Sequence, residues 1–446
     1  MTLHSRKDDC AAASAHQDAT LFFDDLHKPL TDLMAVKEAD HCLYCYDAPC
    51  IKACPTSIDI PTFIHQIRTG NVTGSARTIL SENIMGGTCA RACPTEVLCE
   101  QACVHNLAET KPVEIGLLQR YATDHLMAKG GPHPFQRAVE TGRHLAVIGA
   151  GPAGLSFAHR AAMLGHRVSV YEARSKPGGL NEYGLAAYKM VNNFAAREVE
   201  FLLGIGGIDI MYDQPLGGVL TLNDMRLQHD AVFIGVGLGG VNDLGLEGED
   251  KDGITDAIDF IEQVRQSDDP SRIKLGQHII VIGGGNTAID AAVQSKQLGA
   301  ENVTLVYRRG ESQMGATGFE VDLARRNGVK VVLWSKPVAV QGVQAVTALT
   351  FERTQLVDGR LTGTGDSYDI ACDRVLKAIG QKFDGAGLLA LDTSYGKLTV
   401  TDDYQTSVTG VFAGGDCIAT GEDLTVQAVE DGKQAALFVD SWLQNN

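Results

Sequence analysis

The sequence predicts an α/β protein built from two doubly wound nucleotide-binding domains, the second inserted in the first, preceded by an all-α, cysteine-rich domain. Three observations carry that prediction. Eight of the eleven cysteines fall between Cys42 and Cys103, in a stretch whose apolar residues have helical spacing. Two glycine turns then follow, each set in a strand, turn, helix, strand pattern. A last strand ending in Gly414-Gly415-Asp416, with a helix behind it, reads as the return of the first domain after an insertion. The expected boundaries are residues 1–140 for the helical domain, 141–265 with 385–446 for the first nucleotide domain, and 266–384 for the second.

At 446 residues the chain is too long for one core and fits two to four domains. Its 38 Lys and Arg against 55 Asp and Glu give a net charge of -17, with the charges interspersed. That balance argues against nucleic acid or an anionic membrane as partner. The stretch Met1 to Ala19 has no apolar h-region and no segment reaches eighteen consecutive apolar residues, so the expected setting is the cytoplasm. Thiols are kept reduced there, and a dense cysteine block then holds metal rather than disulfides. Cys10, in a polar Ala-rich tail, reads as a free thiol.

Within the helical domain the apolar patterns are Leu33-Met34-x-Val36, Phe63-Ile64-x2-Ile67 and Ile115-x-Leu117-Leu118-x2-Tyr121, running on to Leu126. Gly130-Gly131-Pro132-His133-Pro134 ends it as a linker. The run Cys42-x2-Cys45-x4-Cys50-x3-Cys54-Pro55 resembles a bacterial ferredoxin ligand run lengthened by two residues in its middle gap. Cys89, Cys93-Pro94, Cys99 and Cys103 form a second group. Eight thiols suffice for two four-ligand iron–sulfur sites. Zinc is the alternative, but a second Cys-x2-Cys knuckle is missing. In two-cluster ferredoxins the cysteine before proline ligates the other cluster, which predicts that Cys54 and Cys93 leave their local groups.

The first glycine turn joins the strand His144–Ile148 to a helix through Gly149, Gly151 and Gly154. Gly149 permits the tight turn, Gly151 lets backbone approach a pyrophosphate, and Gly154 lets helix and strand pack closely. Glu172, after the strand Arg167–Tyr171, stands where an acid hydrogen-bonds adenosine ribose hydroxyls. The second turn follows His278–Ile282 with Gly283, Gly285, Asn286 and Thr287, and its next strand ends in Tyr307-Arg308-Arg309. Arg308 and Arg309 stand where an acid would mark NAD. They can pair with a 2′-phosphate, which favours NADPH, or stack on adenine or lie in solvent.

Gly178-Gly179-Leu180 and Gly414-Gly415-Asp416 resemble the motifs of FAD-dependent, disulfide-reductase-like enzymes, which makes the first turn the FAD site. By that resemblance Gly179 and Leu180 line the cofactor and Asp416 binds its ribitol. The helix beginning Thr425-Val426-Gln427 then aims its positive N-terminus at the flavin pyrimidine ring.

From about residue 30 onward the chain resembles the FAD, NAD(P)H and iron–sulfur half shared by dihydropyrimidine dehydrogenases and the glutamate synthase small subunit. Val232 to Gly239 and the tract VIGGGNTAIDAA, Val281 to Ala292, are most like the small NAD-dependent subunits of bacterial dihydropyrimidine dehydrogenases. The resemblance implies one [4Fe-4S] cluster on Cys42, Cys45, Cys50 and Cys103, and another on Cys54, Cys93, Cys99 and Gln119, leaving Cys89 spare. It also implies NAD(H) as coenzyme, with NADP(H) the alternative that the arginines keep open. Two tracts depart from the family pattern: Gly184-Leu185-Ala186 for Gly-Ile-Pro, and Gly315-Ala316-Thr317 after Met314.

The expected activity is electron passage between NAD(H), FAD and two clusters, to or from an FMN-containing subunit that interconverts uracil or thymine and their 5,6-dihydro forms. Hydride transfer needs no side-chain acid or base, so no catalytic residue is nominated. The alternatives are a glutamate synthase small subunit and a nucleotide-binding scaffold without turnover.

Overall fold

A computed structural model describes residues 23–218 and 220–446; Cys10 and the stretch Met1 to Ala19 lie outside them. The helical domain comprises Asp32–Asp40, Ile60–Arg68, Val72–Glu82, Gly86–Ala92 and Ile115–Lys129, with shorter turns between. Phe63, Ile64, Ile67, Ile79, Ile115 and Leu118 make its core. The Thr31 hydroxyl and the Asp59 carboxylate accept the Met34 and Thr62 amides, capping two of these helices.

One helix faces the other way from its pattern. Asp32–Asp40 buries Ala35 and Ala39, while Leu33 is 81% exposed and Met34 and Val36 also face out. Small side chains at i and i+4 let this helix lie close on its neighbours, and that contact overrides the larger hydrophobics.

The first nucleotide domain has a five-stranded parallel sheet, ordered Val411–Ala413, Ala231–Ile234, His144–Ile148, Arg167–Tyr171, Ile208–Met211. Leu145, Val147, Val168, Val170 and Phe233 are fully buried in it, each contributing roughly 1.5–3 kcal/mol of transfer free energy. The last strand in sequence closes the sheet edge. The helix Thr425–Asn445 then runs against Pro152–Met163 so closely that a Cβ on Gly432 would stand 2.1 Å from the Ala153 carbonyl oxygen.

The second sheet is also parallel, ordered Ile254–Asp256, Arg374–Ala378, His278–Gly283, Asn302–Val306, Lys330–Val332. Its first strand and the following helix Ala257–Arg265 precede the expected boundary at 266, which is therefore corrected. Ile254 pairs with Val375, and Phe260, Ile261 and Val264 pack with Ile289, Val293 and Leu376. The chain crosses between the domains at an antiparallel ribbon of Gly240–Val241 with Gln381–Lys382, so the inserted unit lies between those strands. It also carries an antiparallel sheet of Ser335–Gln341, Ala348–Val357 and Arg360–Ala371. Among the described residues no helix is long and apolar enough to cross a membrane.

Candidate functional site

The first glycine turn is fixed by contacts that leave no room for side chains at two positions. A Cβ on Gly149 would stand 2.6 Å from the Gly235 carbonyl oxygen, and one on Gly154 would stand 2.0 Å from that of Gly149. At Gly151 the nearest atoms would be 3.9 Å away, so the groove is open there. Glu172, buried, accepts the Ala150 amide at 2.7 Å and the Arg174 amide at 2.9 Å, holding the turn to the end of the second strand. Gly179, at φ 54°, packs on Gly151, where a Cβ would come within 2.8 Å of the Gly151 Cα. Leu180 opens the short helix that follows.

The segment before Asp416 and the C-terminal helix lie against the start of the helix that follows this turn: a Cβ on Gly415 would stand 2.9 Å from the Ala153 Cβ and 3.4 Å from the Ala428 Cβ. Burial and the nearby Asp423 push the Asp416 carboxyl up to about 6, and its Oδ1 is buried without a hydrogen-bond partner. Gln427 donates to Asp431 at 2.8 Å, and Asp431 also accepts the Gly415 amide at 2.9 Å. An open glycine groove, a helix N-terminus and an orphaned acceptor for hydroxyl donors fit a dinucleotide with a polyol arm such as FAD.

The second turn is built more openly. Gly283 passes under the Ala378 carbonyl, where a Cβ would come within 2.2 Å, but a Cβ on Gly285 would meet nothing within 4 Å. Asn286 begins the helix Asn286–Gln297, with Thr287 next, and the Asn286 Oδ1 is buried without a partner. The carbonyls of Arg308 and Arg309 are tied down by the Thr354 hydroxyl and the Trp334 amide, at 2.7 and 3.1 Å. No hydrogen bond or ion pair engages either guanidinium among the described residues, and Arg308 is exposed. A fixed backbone with free cations suits an anionic coenzyme.

The inserted domain is bolted to the first by Lys189. Its ammonium, buried, lies 2.7 Å from Asp290 and 2.6 Å from Glu320, and the Tyr188 hydroxyl donates to Asp290 at 2.7 Å. Sequence reading missed this tie: only Asp290 lies in a motif tract, Val281 to Ala292, and nothing local there points to Tyr188, Lys189 or Glu320.

The cysteines gather in two sets. Cys42, Cys45, Cys50 and Cys103 line one cavity walled by Ile60, Ile64, Val113 and Ile115. Cys93 hydrogen-bonds Cys89 and lies with Cys99 and Cys54, while Cys99 also lies near Cys54. Burial pushes Cys50 up to about 12 and raises Cys42 and Cys99, and the contact with Cys89 together with burial raises Cys93. Crowded thiols in an apolar wall become thiolates when a multivalent cation supplies the missing charge, so this donor set fits iron. Gln119 is buried and its Nε2 donates to the Gly86 carbonyl at 2.7 Å, on the helix that carries Cys89. Among the described residues no hydrogen bond joins Gln119 to the thiols, whereas Cys89 stands among them.

The second set abuts the first nucleotide domain. The Cys54 sulfur is 3.3 Å from the Thr56 hydroxyl, and the Thr56 carbonyl accepts Lys433 of the C-terminal helix at 3.3 Å. Glu198, deep in the same junction, accepts the Thr88 amide at 3.0 Å and the Thr88 hydroxyl; burial pushes it up to about 7. The first set points outward, with Leu43 and Leu107 63% and 88% exposed beside it and Tyr46 fully exposed.

These features define a flavin- and pyridine-nucleotide-dependent oxidoreductase with an iron–sulfur domain. The family model described as dihydropyrimidine dehydrogenase domain II, 4Fe-4S cluster, matches residues 19–131, and that of the pyridine nucleotide-disulphide oxidoreductases matches 143–432. The chain belongs to the pyridine nucleotide-disulphide oxidoreductase family, within the group that includes the NAD-dependent dihydropyrimidine dehydrogenase subunit PreT. It is 34% identical to PreT of Escherichia coli over 95% of this chain and 98% of that one. It is 31% identical to the E. coli glutamate synthase [NADPH] small chain, over 95% and 94%. Among solved structures, FprA of Mycobacterium tuberculosis in complex with NADPH shares the fold at TM-score 0.57 and 17% identity, over 68% of this chain and 85% of that one. Thioredoxin reductase of Lactococcus lactis does so at TM-score 0.56 and 21% identity, over 68% and 100%.

Proposed function

We propose that this chain is the electron-input subunit of a dihydropyrimidine dehydrogenase, passing electrons between NAD(H), FAD and two [4Fe-4S] clusters to or from an FMN-containing partner that interconverts uracil or thymine and their 5,6-dihydro forms. The observation that carries the reading is the order of sites: an outward-facing thiol set, a second set against the flavin-type domain, then the open coenzyme turn. FAD, when bound, converts two-electron nicotinamide chemistry into one-electron chemistry. The chain's own residues do the rest. Gly149, Gly151 and Gly154 seat the pyrophosphate, Glu172 is assigned to the adenosine ribose, Asp416 to the ribitol and Gln427 to the flavin ring. Gly283, Gly285, Asn286 and Thr287 receive the coenzyme, with Arg308 and Arg309 beside its adenosine.

Cys42, Cys45, Cys50 and Cys103 are assigned to the outer cluster, and Cys54, Cys93, Cys99 and Gln119 to the inner one. The Gly86 contact holds the Gln119 amide nitrogen and leaves its oxygen to ligate. On this assignment Cys89→Ala keeps the iron content, whereas Gln119→Leu alters the electron paramagnetic resonance of one cluster; the opposite pattern would make Cys89 the ligand. Leu43, Tyr46 and Leu107 supply an apolar collar on an acidic protein, which suits docking of a partner subunit.

The test is reduction of the anaerobic, iron-loaded chain by NADH, followed by uracil reduction with the co-purified FMN subunit. Bleaching at the flavin band without any pyrimidine activity, together with capture of a glutaminase-bearing chain, would select the glutamate synthase reading. Absence of bleaching with flavin bound would leave only a scaffold.

A further inference from the structure

Asn181 belongs to neither nucleotide motif, yet it sits in the first crevice. Its side chain is 1% exposed and follows Gly178-Gly179-Leu180, the segment packed on Gly151. Its Oδ1 accepts the hydroxyl of Thr425 at 3.2 Å, and Thr425 is the first residue of the 21-residue C-terminal helix. Its Nδ2 is buried with no hydrogen-bond partner. An amide donor left dry is costly, so such a group in a folded protein calls for a ligand. The Asp416 Oδ1, on the segment before that C-terminal helix, is also orphaned. The region therefore offers both an unpartnered donor and an unpartnered acceptor.

We propose that the Asn181 amide donates a hydrogen bond to a carbonyl oxygen on the pyrimidine edge of the flavin and thereby sets the flavin's reduction potential. The inference rests on the reading above, in which this crevice holds FAD. The edge follows from the neighbour: Asn181 is locked to a helix N-terminus, whose positive end favours the ring's electron-rich carbonyls. Reduction adds negative charge to that edge, so a fixed donor there binds the reduced form more tightly than the oxidised one. Asn181 is thus a binding residue that tunes potential, with no part in proton transfer.

The experiment uses the full chain with FAD and iron loaded, and reads the flavin potential by equilibration with a reference dye. In Asn181→Leu the equilibrium constant for flavin reduction falls about tenfold, which is about 30 mV for a two-electron couple. Asn181→Asp, nearly isosteric but with an acceptor in place of the donor, lowers it further. Thr425→Val, which frees the amide to rotate, shifts it less and in the same direction, and decides the matter if the Asn181 variants fail to fold. Equilibrium constants within twofold of wild type in every folded variant overturn the proposal. Wild-type protein that takes up no flavin would instead overturn the reading it rests on.

Discussion

The two glycine turns carry one motif and are built to different tolerances. In the first, the third motif position is Gly154, where a Cβ would stand 2.0 Å from a backbone oxygen; in the second it is Ala288, whose methyl is fully buried. The first turn is overlaid by Gly178-Gly179, tied by one oxygen of Glu172 while the other holds the Arg174 amide, and backed by the C-terminal helix. The second has open space at Gly285 and exposed Arg308. The same local device can hold a resident group or dock a coenzyme that comes and goes. What decides between them arrives from distant parts of the chain.

The comparison breaks most visibly at the third position. Gly154→Ala must push the helix away from a backbone carbonyl that cannot rotate aside, an overpacking cost of about 1–3 kcal/mol expected at its upper end. The protein should purify with little FAD and a lowered melting temperature. Ala288→Gly only removes a methyl from a helix, costing about 1 kcal/mol, and FAD content should stay unchanged. Full flavin occupancy in Gly154→Ala would mean that the first turn is no tighter than the second.

A pH series sharpens the contrast, because one orphaned acceptor is charged and the other is not. The Asp416 carboxyl is raised from 3.8 to about 6 in the folded chain, chiefly by burial. A raised carboxylate destabilises the fold when ionised, so its contribution is most favourable below about pH 4 and is lost as pH rises through about 6. The shift corresponds to about 3 kcal/mol at most. Unfolding of the FAD-free protein should show that loss, and Asp416→Asn should flatten it. Asn286, the orphan of the second turn, carries no charge, and Asn286→Ala should leave the pH profile unaltered. A profile identical in wild type and Asp416→Asn would remove Asp416 from this role.

Most of the architecture was legible because it is local. Strand, glycine turn and helix follow each other within thirty residues at both turns, and the observed strands His144–Ile148 and His278–Gly283 stand where the patterns put them. What escaped was set by distance. Ile254–Asp256 is three residues long and finds its partner at Val375 to Lys377, so no spacing could assign it to the inserted sheet. Thr88 meets Glu198 across 110 positions. The outward face of Asp32–Asp40 depended on which side the neighbouring helices chose, and two alanines are a weaker signal than Leu33 and Met34. Asn181 was invisible for another reason: a buried amide announces itself only when its partners can be counted.

The smallest effect concerns what the open turn accepts. Arg308 and Arg309 have fixed carbonyls and unengaged guanidiniums, an arrangement that would meet a 2′-phosphate with charge-assisted hydrogen bonds of about 1.5–3 kcal/mol each. NADH lacks that phosphate. If NADH is the working coenzyme, Arg308→Gln with Arg309→Gln should change its KM by no more than about threefold, since only stacking and long-range attraction are lost. The KM for NADPH should rise at least tenfold, each factor of ten being about 1.4 kcal/mol. Steady-state reduction of the flavin with both coenzymes separates the cases. A wild-type kcat/KM higher for NADPH than for NADH would give the arginines the deciding role and reverse the coenzyme assignment, leaving the contrast between a closed turn and an open one intact.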